Sequence, residues 1–135
     1  MGADIQGEAA GDQSGWSVSL NGSGLRVAIG ARGNDGGGDA SGHTRIYEYS
    51  GSSWSQLGPD IDGEAAGDQS GSAVALNRAG TRVAIGAWFN DGDGTPGQVD
   101  SGHVRVFSIS ATSSEVQVEN DSRDDEEHSS PGIFL

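Results

Sequence analysis

Apolar and polar residues alternate along this chain in short runs. Trp16, Val18 and Leu20 alternate with Ser17 and Ser19, and Leu25, Val27 and Ile29 alternate with Arg26, Ala28 and Gly30. A period of two sends successive side chains to opposite faces of an extended backbone, so both runs predict β-strands. Between them lies Asn21-Gly22-Ser23-Gly24, whose Asn-Gly start supplies the positive backbone angles that a tight hairpin requires. Third and fourth runs follow at HTRIYEYS and WSQLGP, and Gly51, Ser52 and Ser53 turn the chain between them. No stretch of ten residues has the period of an amphipathic helix.

The whole pattern then recurs. Sliding the chain by 56 positions aligns residues 4–38 with residues 60–94, and 25 of the 35 pairs are identical. The phrase GEAAGDQSG stands at residues 7–15 and again at 63–71. After Gly38 the offset becomes 60, so ASGHTRIYEYS meets DSGHVRVFSIS, and the extra residues fall after Gly94, where an insertion marks a loop. Beyond that, SSWSQLG meets SSEVQVE at an offset of 61, which puts Glu115 at the place of Trp54. Each copy reads as four short antiparallel strands, the unit of a β-propeller blade, so the fold class is all-β: two four-stranded blades, part of an incomplete or larger propeller. A β-sandwich and a β-solenoid are the alternatives. The segments are residues 1–13 leading into the first blade, 14–62 as blade one, 63–120 as blade two, and 121–135 as an acidic, disordered tail. In each VAIGA run the small residues let neighbouring sheets approach closely, and the tryptophans are expected to fill the gap between sheets.

Composition changes this picture in two ways. Only 33% of the chain is hydrophobic and 24 residues are glycine, a thin core for two sheets with open faces. Further blades, or self-association, are therefore expected to complete the fold. The net charge of −13, with no lysine, excludes a basic nucleic-acid footprint and disfavours anionic membrane surfaces. No apolar run approaches a membrane span, so no membrane insertion is expected, and the first ten residues lack the regions of a signal peptide. With no cysteine there is neither a disulfide framework nor a thiol nucleophile.

The repeated phrase reads as the connector that starts each blade, with Gly11 and Gly15 setting turns and Asp12 capping backbone amides. GDQSG is not a nucleophile elbow, because its serine directly precedes the glycine. His43 and His103 each follow Ser-Gly at a strand start, a placement that fits packing or loop bonding better than catalysis. Carboxylates gather in the following loop: Asn34, Asp35 and Asp39 in the first copy, and Asn90, Asp91, Asp93 and Asp100 in the second. Calcium takes six to eight oxygen ligands, which such loops offer. Asn-Asp-Gly is equally ordinary turn chemistry. No cofactor is required by the sequence, and calcium is the one for which these residues provide ligands.

At GDQSGWSVSL, LRVAIGA, NDGG and SGHTRIYEY the sequence resembles the FG-GAP repeat family, the blades of integrin α-subunit-like propellers. The likeness runs over residues 4–118. It departs at Ser14 and Ser70, where the family has its Phe, and at Arg32 and Trp88, where it has its Pro. The resemblance implies a non-catalytic module for adhesion or interaction, extracellular or at the cell surface, with a protein or carbohydrate ligand at its loop face. It also implies calcium in some blades, in the hairpin between the first two strands; here residues 21–24 and 77–80 bring no carboxylate to that position. The alternatives are a fragment of a secreted propeller hydrolase, whose carboxylate pair cannot be singled out here, and a calcium-stabilised β-repeat structural protein.

Overall fold

The computed structural model describes residues 1–110 and the backbone of residues 118–120. Eight strands run in chain order: β1 (Ser14–Leu20), β2 (Arg26–Ala31), β3 (His43–Tyr49), β4 (Trp54–Asp62), β5 (Ser70–Leu76), β6 (Arg82–Ala87), β7 (His103–Ile109) and β8 (Val118–Asn120). The first four form one antiparallel sheet in the order β1-β2-β3-β4. Among the described residues there is no helix. The hairpins fall where the Asn-Gly and Asn-Arg turns were expected. Asn21 and Asn77 each use Oδ1 to accept the backbone N–H five residues on, at Arg26 and Arg82, which closes the turn.

The second sheet repeats the first, with one correction to the expectation of two equal four-stranded sheets. Its full strands are three, β5-β6-β7, and only the three-residue β8 pairs at the outer edge, from Phe107 to Ile109. Where Tyr49 pairs with Trp54, its counterpart Ile109 pairs with Val118. Val118 therefore takes the position of Trp54, and the offset of 61 is replaced by 64; Glu115 and the whole acidic tail, residues 121–135, lie outside the described residues.

Both copies carry the same bulge at the start of their first strand. The register shifts between Ser14 and Ser17, and again between Ser70 and Ala73, with Gly15 and Gly71 at φ of 90° and 89°. Such a bulge needs a residue free to take positive φ, which is why glycine recurs there.

The sheets lie face to face. Ala28, Ile46, Leu57 and Ile61 of the first pack against Val83, Ile85, Phe107 and Ile109 of the second, with Val74 and Leu76 at the margin. Each branched side chain taken out of water here contributes about 2 kcal/mol. The approach is close because Gly30 faces Gly71: a Cβ on Gly30 would lie within the radius of the Gly71 carbonyl oxygen, and one on Gly42 would meet the backbone of Ser70. Hydroxyls and backbone groups stitch the seam. Ser17 Oγ donates to Gly71 O at 2.8 Å, Leu76 N donates to Ser19 Oγ at 3.0 Å, Arg26 Nη1 donates to Gly80 O at 2.8 Å, and Ser70 N donates to Ser41 O at 2.8 Å.

The two sheets thus meet through opposite faces. In the first sheet the small residues of the alternating runs point to the seam. Trp16, Val18 and Leu20 point away from it, and Val18 and Leu20 are 61% and 59% exposed. The expectation that tryptophans fill the gap between sheets is corrected: Trp16 and Trp88 are half exposed, and Trp54 packs on Tyr49 with ring centroids 5.2 Å apart.

Candidate functional site

The repeated phrases and the loops after β2 and β6 gather at one end of the sheets. In the first copy, Asn34 is the centre of this loop cluster. Its Nδ2 donates to Asp12 Oδ2 at 2.8 Å and to Glu8 Oε1 at 3.1 Å, while its Oδ1 accepts from Gly36 N at 2.8 Å. Asn90 repeats this with Asp68 Oδ2 at 2.8 Å, Glu64 Oε1 at 3.4 Å and Gly92 N at 2.7 Å. All four of Asp12, Asn34, Asp68 and Asn90 are 4% exposed. The phrase is therefore bolted to its own sheet by a buried carboxylate–amide pair, one per copy, and Asp12 accepts from a side-chain amide where capping of backbone amides was expected.

The loop carboxylates named as calcium candidates sit close by and are individually engaged. Asp35 Oδ1 accepts from Ala40 N at 2.8 Å, and Asp91 Oδ1 accepts from Asp100 N at 2.9 Å. Asp93 Oδ1 accepts from both the backbone and the hydroxyl of Thr95, and these bonds hold its carboxyl below the usual range. Asp39 is exposed and accepts Gly67 N on its carbonyl at 2.8 Å. These are turn bonds, and a calcium ion at Asp35, Asp91 or Asp93 would compete with the amides for the same oxygens.

Between the two phrases opens a cavity of about 430 Å³ lined by Gln13, Arg32, Asp35, Asp39, Ala40 and Gln69, together with Ala10, Gly11 and Gly33. Arg32 bridges the copies. Its Nε donates to Gln13 Oε1 at 2.9 Å and its Nη1 to Gln69 Oε1 at 3.1 Å, and its guanidinium lies 3.5 Å from the ring centroid of Trp16. Trp88 Nε1 donates to the same Gln69 oxygen at 3.0 Å. Gln13, Gln69 and Ala40 all take positive φ, at 60°, 55° and 53°, a conformation that side chains rarely adopt and that concentrates at binding and catalytic sites. Sequence reading passed over Arg32 and the two glutamines. The signal available was the departure from the family pattern at Arg32 and Trp88.

A second constellation lies on the outer face of the first sheet, where Glu8, His43 and Asp60 bring their ligating atoms within 4.8 Å of one another. Its cation is already present. Arg45 Nε donates to Asp60 Oδ1 at 2.9 Å and its Nη2 donates to Asp60 Oδ2 and to Glu8. Burial works to raise Asp60 and to lower Arg45; the hydrogen bonds and charges between them outweigh it, so the carboxyl sits below and the guanidinium above their ordinary values.

No helix of the described chain is long and apolar enough to cross a membrane. Comparison with the curated proteins gives no match. Residues 6–47, from the first phrase through β1 and β2 into β3, match the FG-GAP repeat family, and the chain therefore carries an FG-GAP repeat.

Proposed function

We propose that this protein is a non-catalytic β-propeller-type repeat module that binds a protein or carbohydrate ligand through its loop face, at the cell surface. The propeller reading is supported by the FG-GAP match, by the duplicated sheet and by the glycine-lined seam between the copies. The observation that carries the binding reading is the cavity between the phrases. Planar polar groups of Gln13, Arg32 and Gln69 converge there beside half-exposed Trp16 and Trp88, the mixture of fixed hydrogen-bonding planes and aromatic surface from which recognition sites are built. Glu8 and Asp60 support a role without catalysis. Both are tied to Arg45, and Asp60 is held ionised, the opposite of what a general acid needs.

Arrayed glycans and surface-protein fragments, probed with the purified chain, test this reading. Binding should be found and should fall about tenfold or more on Arg32→Ala, which removes the group that orders both glutamines, a loss of about 1.4 kcal/mol. Equal binding by the variant would place recognition elsewhere.

A further inference from the structure

The seam between the two sheets is asymmetric, and that asymmetry leaves each sheet with the face the other has used. The first sheet presents Ser17, Ser19, Ala28, Gly30, Thr44 and Ile46 to the seam; the second presents the counterparts of the opposite face, including Val83, Ile85 and Phe107. What remains open on the first sheet is Val18, Leu20, Val27, Ile29 and Tyr47, the positions that the second sheet buries. What remains open on the second is Ala73, Ala75, Ala84, Gly86, Val104 and Val106, the positions that the first buries, and Val104 is 65% exposed.

Three details fit these open faces to each other. Gly86 has an ordinary strand φ, and a Cβ on it would meet only Ala73 at normal contact distance, so nothing within the chain requires glycine there; its counterpart Gly30 is glycine because Gly71 presses on it. Gly22 lies under Arg78, with room for no Cβ; a head-to-tail stack sets Arg78 over Gly22 of the next copy, the same large-on-small pairing with the partners exchanged. The third is the outer edge of β7. In the first sheet His43 and Thr44 pair with Asp62 and Ile61, and Arg45 is satisfied by Asp60. In the second, β8 pairs only with Phe107 to Ile109; Arg105 Nη2 donates to the Asp62 carbonyl at 2.9 Å and its Nη1 lies 3.9 Å from Glu64, while its buried Nε has no hydrogen-bond partner among the described residues. Asp4-Ile5-Gln6 is the counterpart of Asp60-Ile61-Asp62, belongs to no strand, and lies against Tyr47 and Ile29 on the open face of the first sheet. Asp4-Ile5-Gln6 keeps both the aspartate and the isoleucine of that segment.

We infer that a second copy of this chain docks head to tail, its first sheet stacking on the open face of the second sheet, and that residues 4–6 of that copy add as a strand beside His103 to Arg105, with Asp4 meeting Arg105. This rests on the propeller-type reading proposed above and names the partner of its open faces. Such a contact is heterologous, so it closes into a ring when the rotation per copy allows; propellers of about four to eight blades correspond to two to four chains.

The full chain at about 0.15 M salt, where like charge is screened beyond about 8 Å, tests it by sedimentation. Val18→Arg spoils one face and Val104→Arg the other, each at an exposed position and with the same change of charge. The wild type should associate as concentration rises, each variant alone should be monomeric, and an equimolar mixture should form a one-to-one dimer, because one intact face of each kind is then available. A monomeric wild type, or one variant that still self-associates while the mixture gains nothing, overturns the proposal. Register is read by disulfide trapping: Ile5→Cys mixed with Val104→Cys should give the crossed dimer, since Thr44 and Ile61 are paired in the template and the chain has no other cysteine. Dimers of like with like overturn the strand addition. Ligand capture through Arg32 is read separately, so a monomer that still binds its ligand sinks this inference and leaves the binding reading standing.

Discussion

The two copies share a backbone and differ in what presses on it. Gly30 and Gly86 occupy the same register position, opposite Ser17 in one sheet and Ala73 in the other. Gly30 is crowded by the neighbouring sheet and Gly86 is not. Ser17 and Ser19 reach across the seam with their hydroxyls; Ala73 and Ala75, their counterparts, stand exposed. Arg45 is satisfied by Asp60 and Glu8, whereas Arg105 holds only the Asp62 carbonyl and a longer contact to Glu64, and its Nε is buried without a partner among the described residues. Duplication copied the residues, and the seam then gave each copy a different environment, so that the same residue type has a structural reason in one sheet and an unspent capacity in the other.

The sharpest way to break this comparison is a matched pair at the glycines. Gly30→Val should destabilise the fold by about 3 kcal/mol, since the new side chain meets backbone that cannot yield without opening the seam. Gly86→Val should change the stability of the dilute monomer little, because valine suits a strand and finds only Ala73. Urea denaturation of both variants checks this, and equal losses would mean that the seam is not where the sheets are held.

Next in size is the buried carboxylate–amide pair, where the copies should behave alike. Asp12→Ala and Asp68→Ala each leave an Asn amide buried without its 2.8 Å acceptor, and each should cost about 1–3 kcal/mol in a thermal melt. A tolerated Asp68→Ala beside a damaging Asp12→Ala would show that the second phrase is held by something else. Converting the first sheet's seam into the second's outer face comes third: Ser17→Ala and Ser19→Ala should each lose about 0.5–1.5 kcal/mol, while the reverse change Ala73→Ser should be neutral in the monomer.

The smallest effect concerns acid. Asp60 has a depressed folded pKa, so its contribution is present above the unfolded value of about 3.9 and is lost as pH falls through the folded value. The stability gap between wild type and Arg45→Gln should therefore narrow below about pH 4; as this pair is partly solvated, the gap itself should be under about 1 kcal/mol. Among the described residues Arg105 has no bidentate carboxylate: its Nη2 donates to the Asp62 carbonyl at 2.9 Å and its Nη1 lies 3.9 Å from Glu64, so Arg105→Gln should show less of that narrowing. Chemical denaturation at pH 3 and pH 7 separates the two.

Alternation and self-similarity determined the strands, their hairpins and their grouping into two antiparallel sheets, because a period of two and a repeated turn chemistry are local properties of the backbone. The first VAIGA run announced a close approach, which Ala28 and Gly30 make at the seam; in the second run Ala84 and Gly86 face away from it, against the same expectation. The loop candidates Asp35 and Asp91 were legible as turn formers, and their bonds to Ala40 and Asp100 are of that kind. Tertiary structure alone decided which face of each alternating run is inside. Period two names two faces without ranking them, and Trp16, Val18 and Leu20 lie outward because the glycine and serine face admits the other sheet more closely. It also decided that Asn34 belongs to Asp12, 22 residues earlier, and that Arg32 joins Gln13 to Gln69 across the copies. Such partners are set by how the loops are brought together in space, which no local pattern encodes.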